Sequence, residues 1–179
     1  MSDPLHALDP TDGNGKLRVV VEVSKGGQVK LKWDPRLGAF TASRYLPSGL
    51  SYPFDWGFVP GTKAEDGDPL DALILADVPT WPGVVIPCEP LGLLRLEQDN
   101  KRGRRERNDR LIVRPLGASR LGDARDVREM PGALLDELEK FFLDAVFFTP
   151  KNARARGWAG RSAADKLIEK SARAFRRKK

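Results

Sequence analysis

The strongest constraint on the fold is a change of hydrophobic period partway along the chain. Up to about residue 115 the apolar residues lie in short β-branched or alternating runs, and from residue 132 they recur at helical spacing. Leu17 to Val23 is a β-branched run that includes Glu22. Over residues 28–33, Val29, Leu31 and Trp33 share one face and Lys30 and Lys32 the other, as in a half-buried strand with a basic face. The Gly26-Gly27 pair between these runs predicts a hairpin joining them. Further strands are expected over 40–46, 70–76, 84–88, 91–97 and 111–113. Turn residues punctuate the series at Pro-Ser-Gly 47–49, Pro-Gly 60–61 and Pro-Gly 82–83. Leu134, Leu135, Leu138, Phe141, Phe142, Ala145 and Val146 then form one face of a helix over 132–146. A second helix is expected over 162–175, with Ala164, Leu167, Ile168 and Phe175 inward and Ser162 with Asp165 capping it. Many short strands followed by two helices describe an α+β domain, a small closed β-barrel with two C-terminal helices packed outside.

Nothing splits the 179 residues, so residues 17–179 read as one domain, preceded by a flexible polar arm over 1–16. No apolar run approaches the ~20 residues of a membrane span, and the arm does not read as a signal peptide. One cysteine, Cys88, rules out an internal disulfide and suits a reducing compartment, so a cytoplasmic location is expected.

The chemistry is limited by histidine. The single histidine, His6, lies in the arm, which leaves the folded part without a base for a Ser-His-Asp or Cys-His system. Zinc has no credible ligand set, whereas carboxylates suit hard cations such as Mg²⁺ or Mn²⁺. A net charge of +6 favours an anionic partner. Much of the excess lies in 101–107 and in the tail 173–179, both ordinary places for solvated charge.

The segment Glu65-Asp66-Gly67-Asp68-Pro69-Leu70-Asp71 concentrates three aspartates just before an apolar strand. Gly67 permits a sharp bend and Pro69 holds Asp68 extended. Counting by two from Asp71 gives Leu73 and Leu75, which sets Asp71 on the edge of an apolar face. A carboxylate there needs a cation or hydrogen bonds. Taken alone, Asp-Gly-Asp-Pro is also ordinary turn chemistry. An EF-hand reading fails, because Asp71 stands where the loop requires glycine and Asp77 where it requires glutamate.

The same segment resembles the signature of the soluble (family I) inorganic pyrophosphatases, Asp-x-Asp-Pro-hydrophobic-Asp. Val20-Val21-Glu22-Val23, Lys30, Arg44-Tyr45, Ser51-Tyr52-Pro53, Trp56-Gly57-Phe58, Trp81-Pro82-Gly83 and Pro90-Leu91-Gly92 follow the family's order and spacing. The resemblance covers roughly residues 17 to 175. It implies a five-stranded OB-like barrel, a homo-oligomer and hydrolysis of pyrophosphate with Mg²⁺, possible also with Mn²⁺. By this resemblance Asp66 and Asp71 are metal ligands, and Glu22 is an outer carboxylate near the metals. Asp68 is the catalytic proton acceptor. Lys30 and Arg44 bind phosphate and the Tyr52 hydroxyl supports the site.

The sequence departs from that family at several points. Trp56 stands where a phosphate-binding tyrosine is usual, and Lys32 replaces a glutamate. A later pair of metal-binding aspartates should fall between Glu97 and Arg110, where this chain is longer and basic. Glu97, Gln98 or Asp99 stands near the first position and Asn108 or Asp109 near the second. Asp109 is the expected ligand there. Ala145-Val146 replaces a phosphate-binding Tyr-Lys pair, for which cations from 101–107 or 151–156 are the candidate substitutes. Two alternatives remain open: a non-hydrolytic barrel binding single-stranded nucleic acid or another polyanion, and a hydrolase of longer phosphoanhydrides. In the first, Trp33, Trp56 and Phe58 would stack on bases. Neither nucleic acid nor a membrane is the expected partner.

Overall fold

A computed structural model describes residues 3–117 and 124–177. The strands are β1 (Leu17–Val23), β2 (Val29–Asp34), β3 (Ala39–Tyr45), β4 (Asp55–Val59), β5 (Leu70–Ile74), β6 (Val85–Asp99), β7 (Arg105–Arg107), β8 (Arg110–Pro115) and β9 (Arg154–Gly160). The helices are α1 (Gly132–Asp144) and α2 (Arg161–Arg176), with a 3₁₀ turn at Val127–Glu129.

Five strands close into a ring. β1 pairs with β4, β4 with β5, β5 with β8, β8 with β6, and β6 returns to β1. Only the β5–β8 pairing is parallel. Such closure satisfies every strand edge of the ring and matches the expected OB-like barrel. β7 and β9 extend from the long β6, and β2 with β3 forms a separate two-stranded sheet.

The strands are apolar because both faces are covered. On β5, Leu70, Ala72 and Ile74 join Val19, Val21 and Leu111 beneath Ala164 and Ile168 of α2. Leu73 and Leu75 point the other way, into a cluster with Trp56, Leu94 and Ile112 that Leu138, Phe141 and Phe142 of α1 complete. Each fully buried side chain of this size contributes on the order of 2 kcal/mol. Gly57 allows β4 to approach β1, since a Cβ there would lie 2.0 Å from the Val20 carbonyl oxygen.

Four expectations need correction. The Gly26-Gly27 turn does not join β1 and β2 as a hairpin, because β1 is already paired on both edges and the chain crosses to the separate sheet. The strands expected over 84–88 and 91–97 are one strand, β6, which begins at Val85 and shifts register between Pro90 and Gly92. Ser162 does not cap α2, which begins one residue earlier and has the Arg161 N–H bonded to the Asp126 carboxylate at 2.9 Å. The arm is docked from residue 3 onward. Leu5 and Leu8 pack on Val20, Trp33 and Phe58, and Trp33 Nε1 donates to Asp3 at 3.0 Å.

Candidate active site

Three strand termini and the loop before β5 meet around one small cavity of about 60 Å³. Glu22 enters from the end of β1, beside an irregularity in its pairing with β4. Lys30 and Lys32 come from the polar face of β2, with Lys30 registered opposite Arg44 of β3. Asp66 and Asp68 lie in the loop, and Asp71 lies at the start of β5. Gly67 makes the bend between the two loop aspartates at φ +89°. The loop is also held internally by Asp68 N–H donating to Asp66 Oδ1 at 3.1 Å. Leu73 and Leu75 are buried, so Asp71 does sit at the edge of an apolar face.

The acidic groups differ in their neighbours. Asp68 accepts from Lys32 Nζ at 2.7 Å, and Asp71 accepts from the Arg110 guanidinium. Asp66 has no cation partner among the described residues. Burial, and then the charge of Asp71, push its pKa up to about 6. Glu22 is more deeply enclosed. Burial pushes its pKa up to about 7, against the opposing pull of Lys30. It accepts a hydrogen bond from Trp33 N–H at 3.3 Å.

The basic side of the cavity is built largely from residues outside the motif. Arg110 opens β8, is almost fully buried and also donates to Asn108 Oδ1 at 2.7 Å. Its guanidinium carbon lies 5.4 Å from the Trp56 ring centre, and Lys30 Nζ lies 5.7 Å from the same ring. Trp56 thus contributes a buried face to two cations. Burial lowers the pKa of Arg44. Lys151 is brought down to about 8 by burial first, then by Lys30, Arg110 and Arg44. Tyr52 is buried against Trp56 and Phe141, and burial raises its hydroxyl. Arg44 Nε and Trp56 Nε1 have no acceptor among the described residues, as expected of donors awaiting an anionic ligand.

The cavity therefore collects Glu22, Lys30, Asp66, Asp68 and Asp71, with Arg44, Tyr52 and Trp56 behind them. It does not collect Asp109. That carboxylate turns away, accepting from Leu96 N–H at 3.1 Å and from Arg107, and lines a basic cleft beside Lys170 of α2. The neighbouring Asn108 lines the cavity instead, since consecutive residues in extended chain face opposite ways. Glu97 pairs with Arg156, and Asp99 with Arg105, so neither lines it. Ala145 and Val146 are buried core residues. Of the basic stretches proposed as substitutes, 151–156 supplies Lys151.

Two residues escaped sequence reasoning. Arg110 carried no signal beyond being one of many arginines. His6, set aside with the arm, lines the cavity, its ring edge-on to Phe58 at 4.8 Å and its Nδ1 2.7 Å from Asp3 Oδ2. The nucleic-acid alternative loses its platform, because Trp33, Trp56 and Phe58 are buried.

Among the described residues no three carboxylate, histidine or cysteine side chains form a metal cage. Mg²⁺ does not require one, since it is commonly held by one or two carboxylates, waters and substrate phosphates. Asp66 and Asp71 are hard oxygen donors lining one cavity, a donor chemistry that suits such an ion.

Comparison with known proteins agrees with this picture. A family model described as inorganic pyrophosphatase matches residues 19–176. An inorganic pyrophosphatase of Nostoc sp. is 32% identical over 162 residues, covering 90% of this chain and 93% of its own. One from Streptomyces coelicolor is 35% identical over 159 residues, covering 88% and 94%. The crystal structure of the Thermus thermophilus inorganic pyrophosphatase superposes with a TM-score of 0.87 at 32% identity, over 98% of this chain and 99% of that one. The chain belongs to the inorganic pyrophosphatase family.

Proposed function

We propose that this chain hydrolyses inorganic pyrophosphate to two phosphates, with Mg²⁺ (or Mn²⁺) at Asp66 and Asp71 and with Asp68 as proton acceptor. The observation that carries this reading is the convergence of Asp66, Asp68 and Asp71 with Lys30, Lys32 and Lys151 on one small cavity. Pyrophosphate is a compact polyanion, and its main barrier to hydrolysis is the repulsion it offers an incoming oxygen nucleophile. Lys30, Arg44 and Lys151 neutralise that charge and orient the anion with Lys32 and Arg110. Water attacks one phosphorus, the bridging P–O bond breaks, and Asp68 takes the water's proton before passing it to phosphate or solvent. Asp66 and Asp71 would hold a divalent ion, which would supply Lewis-acid polarisation and make water a better nucleophile. Before substrate binds, Lys32 pairs with Asp68 at 2.7 Å and fixes the position of its carboxylate.

We also propose a cytoplasmic homo-oligomer. The single buried cysteine supports the first part and the family likeness the second. No helix among the described residues is long and apolar enough to cross a membrane. The test is phosphate release from pyrophosphate with Mg²⁺ or Mn²⁺. Turnover with either metal is expected, and none with both across a broad pH range overturns the reading.

A further inference from the structure

We propose that Arg110 and Lys32 carry charge that additional metal ions would otherwise supply, so that the pocket binds pyrophosphate with no metal present and holds a single divalent ion. This rests on the reading of the cavity as the pyrophosphate site.

The first support is how the aspartates are engaged. Asp71 is bonded to Arg110, and Arg110 is fixed on three sides by Asp71, by Asn108 Oδ1 at 2.7 Å and by the Trp56 ring at 5.4 Å. Asp68 is bonded to Lys32 at 2.7 Å. A cation bound to these carboxylate oxygens must displace, or crowd against, a resident positive charge. Asp66 alone of the three has no such competitor, and Asp71 retains a second oxygen. That leaves room for one ion.

The second support is the balance of charge. Glu22, Asp66, Asp68 and Asp71 are opposed by Lys30, Lys32 and Lys151 on the cavity wall, and by Arg110 and Arg44 behind it. Five cations against four carboxylates leave the pocket slightly positive before any metal binds. A cavity walled by carboxylates alone must load cations before admitting a phosphate anion, and this one need not.

The third support is the fate of the carboxylates that might serve further ions. Glu97, Asp99 and Asp109 are paired with Arg156, Arg105 and Arg107, away from the cavity, and an amide, Asn108, faces it instead. Lys32 and Arg110 are therefore the resident electrophilic groups for the anion. On binding, phosphate oxygens replace Asp68 and Asp71 as their partners, which frees those carboxylates for the proton and for the one ion.

The test uses the full-length protein and has two parts, neither of which depends on turnover. Pyrophosphate is titrated calorimetrically in excess chelator. One anion per chain should bind, with affinity reduced roughly tenfold or more by Arg110→Gln and by Lys32→Gln, as expected for loss of a charge-assisted contact. Manganese(II) is titrated separately, without anion, and bound ion is counted by electron paramagnetic resonance. One ion per wild-type chain is expected, bound several-fold tighter in Lys32→Gln or Arg110→Gln. Lys32 is half-exposed, so its variant reports even if the Arg110 variant fails to fold. No anion binding in chelator overturns the proposal. So do two or more manganese ions per wild-type chain, or unchanged manganese affinity in Lys32→Gln. Absence of hydrolysis with anion binding retained counts only against the catalytic reading.

Discussion

Lys32 Nζ donates to the Asp68 carboxylate at 2.7 Å, linking the strand β2 to the loop before β5 across a half-exposed gap. Exposed ion pairs add little to stability, about 0–1 kcal/mol. The contact instead positions the proposed proton acceptor beside Lys30 and Lys151 on the cavity wall. Lys32→Gln should leave the melting temperature within a degree or two and lower kcat/KM about tenfold. Thermal melts and phosphate-release kinetics on the same preparation check both halves.

Glu22 predicts a pH dependence of stability. Its pKa is about 7 in the folded chain against 4.5 for an ordinary glutamate, so the folded state binds more protons between those values. Stability contributed by protonated Glu22 is full below about 4.5 and is lost as pH rises through 7. Glu22→Gln should match wild type near pH 4.5 and exceed it above pH 7, by up to about 3 kcal/mol in metal-free buffer. Urea melts across that range read the difference directly.

Lys151 predicts a pH dependence of binding. Its pKa near 8 means that it loses its charge just above neutrality, whereas an ordinary lysine keeps it to about 10.5. Pyrophosphate affinity should fall as pH rises from 7 to 9. Lys151→Arg, which stays protonated, should flatten that fall. The dissociation constant measured at three or four pH values is the check.

Gly57 predicts a packing failure. A methyl group there would collide with the Val20 carbonyl at 2.0 Å, and this contact is backbone that cannot swing aside. Gly57→Ala should part β4 from β1, costing more than about 3 kcal/mol or preventing soluble expression. A wild-type melting curve for that variant would contradict the placement of β4.

Much of the barrel was legible because burial and period coincide. β1 was read with its observed bounds, and alternation alone placed Lys30 and Lys32 together on the polar face of β2, the face that lines the cavity. β9 was not read, since Arg-Ala-Arg-Gly-Trp-Ala-Gly has neither an apolar run nor clean alternation and is a strand only through pairing with β6. β4 was seen as a set of residues rather than a strand, because Gly57 weakens the propensity while the tertiary approach requires it. In the site, Asp66, Asp68 and Asp71 were found because they are close in sequence. Asn108 and Asp109 were not separable, because a one-residue slip exchanges cavity and cleft. His6, Arg110 and Lys151 reach the cavity from distant parts of the chain, and no local pattern announces such contacts.

The central claim is that Asp68 takes the proton during pyrophosphate hydrolysis. The most direct measurement compares kcat for wild type and Asp68→Asn with Mg²⁺ at neutral pH, alongside pyrophosphate affinity in chelator. Loss of a positioned proton acceptor should lower kcat by roughly 10²-fold or more, while anion affinity stays equal or rises because a carboxylate has been neutralised. An Asp68→Asn protein that releases phosphate at the wild-type rate would contradict it.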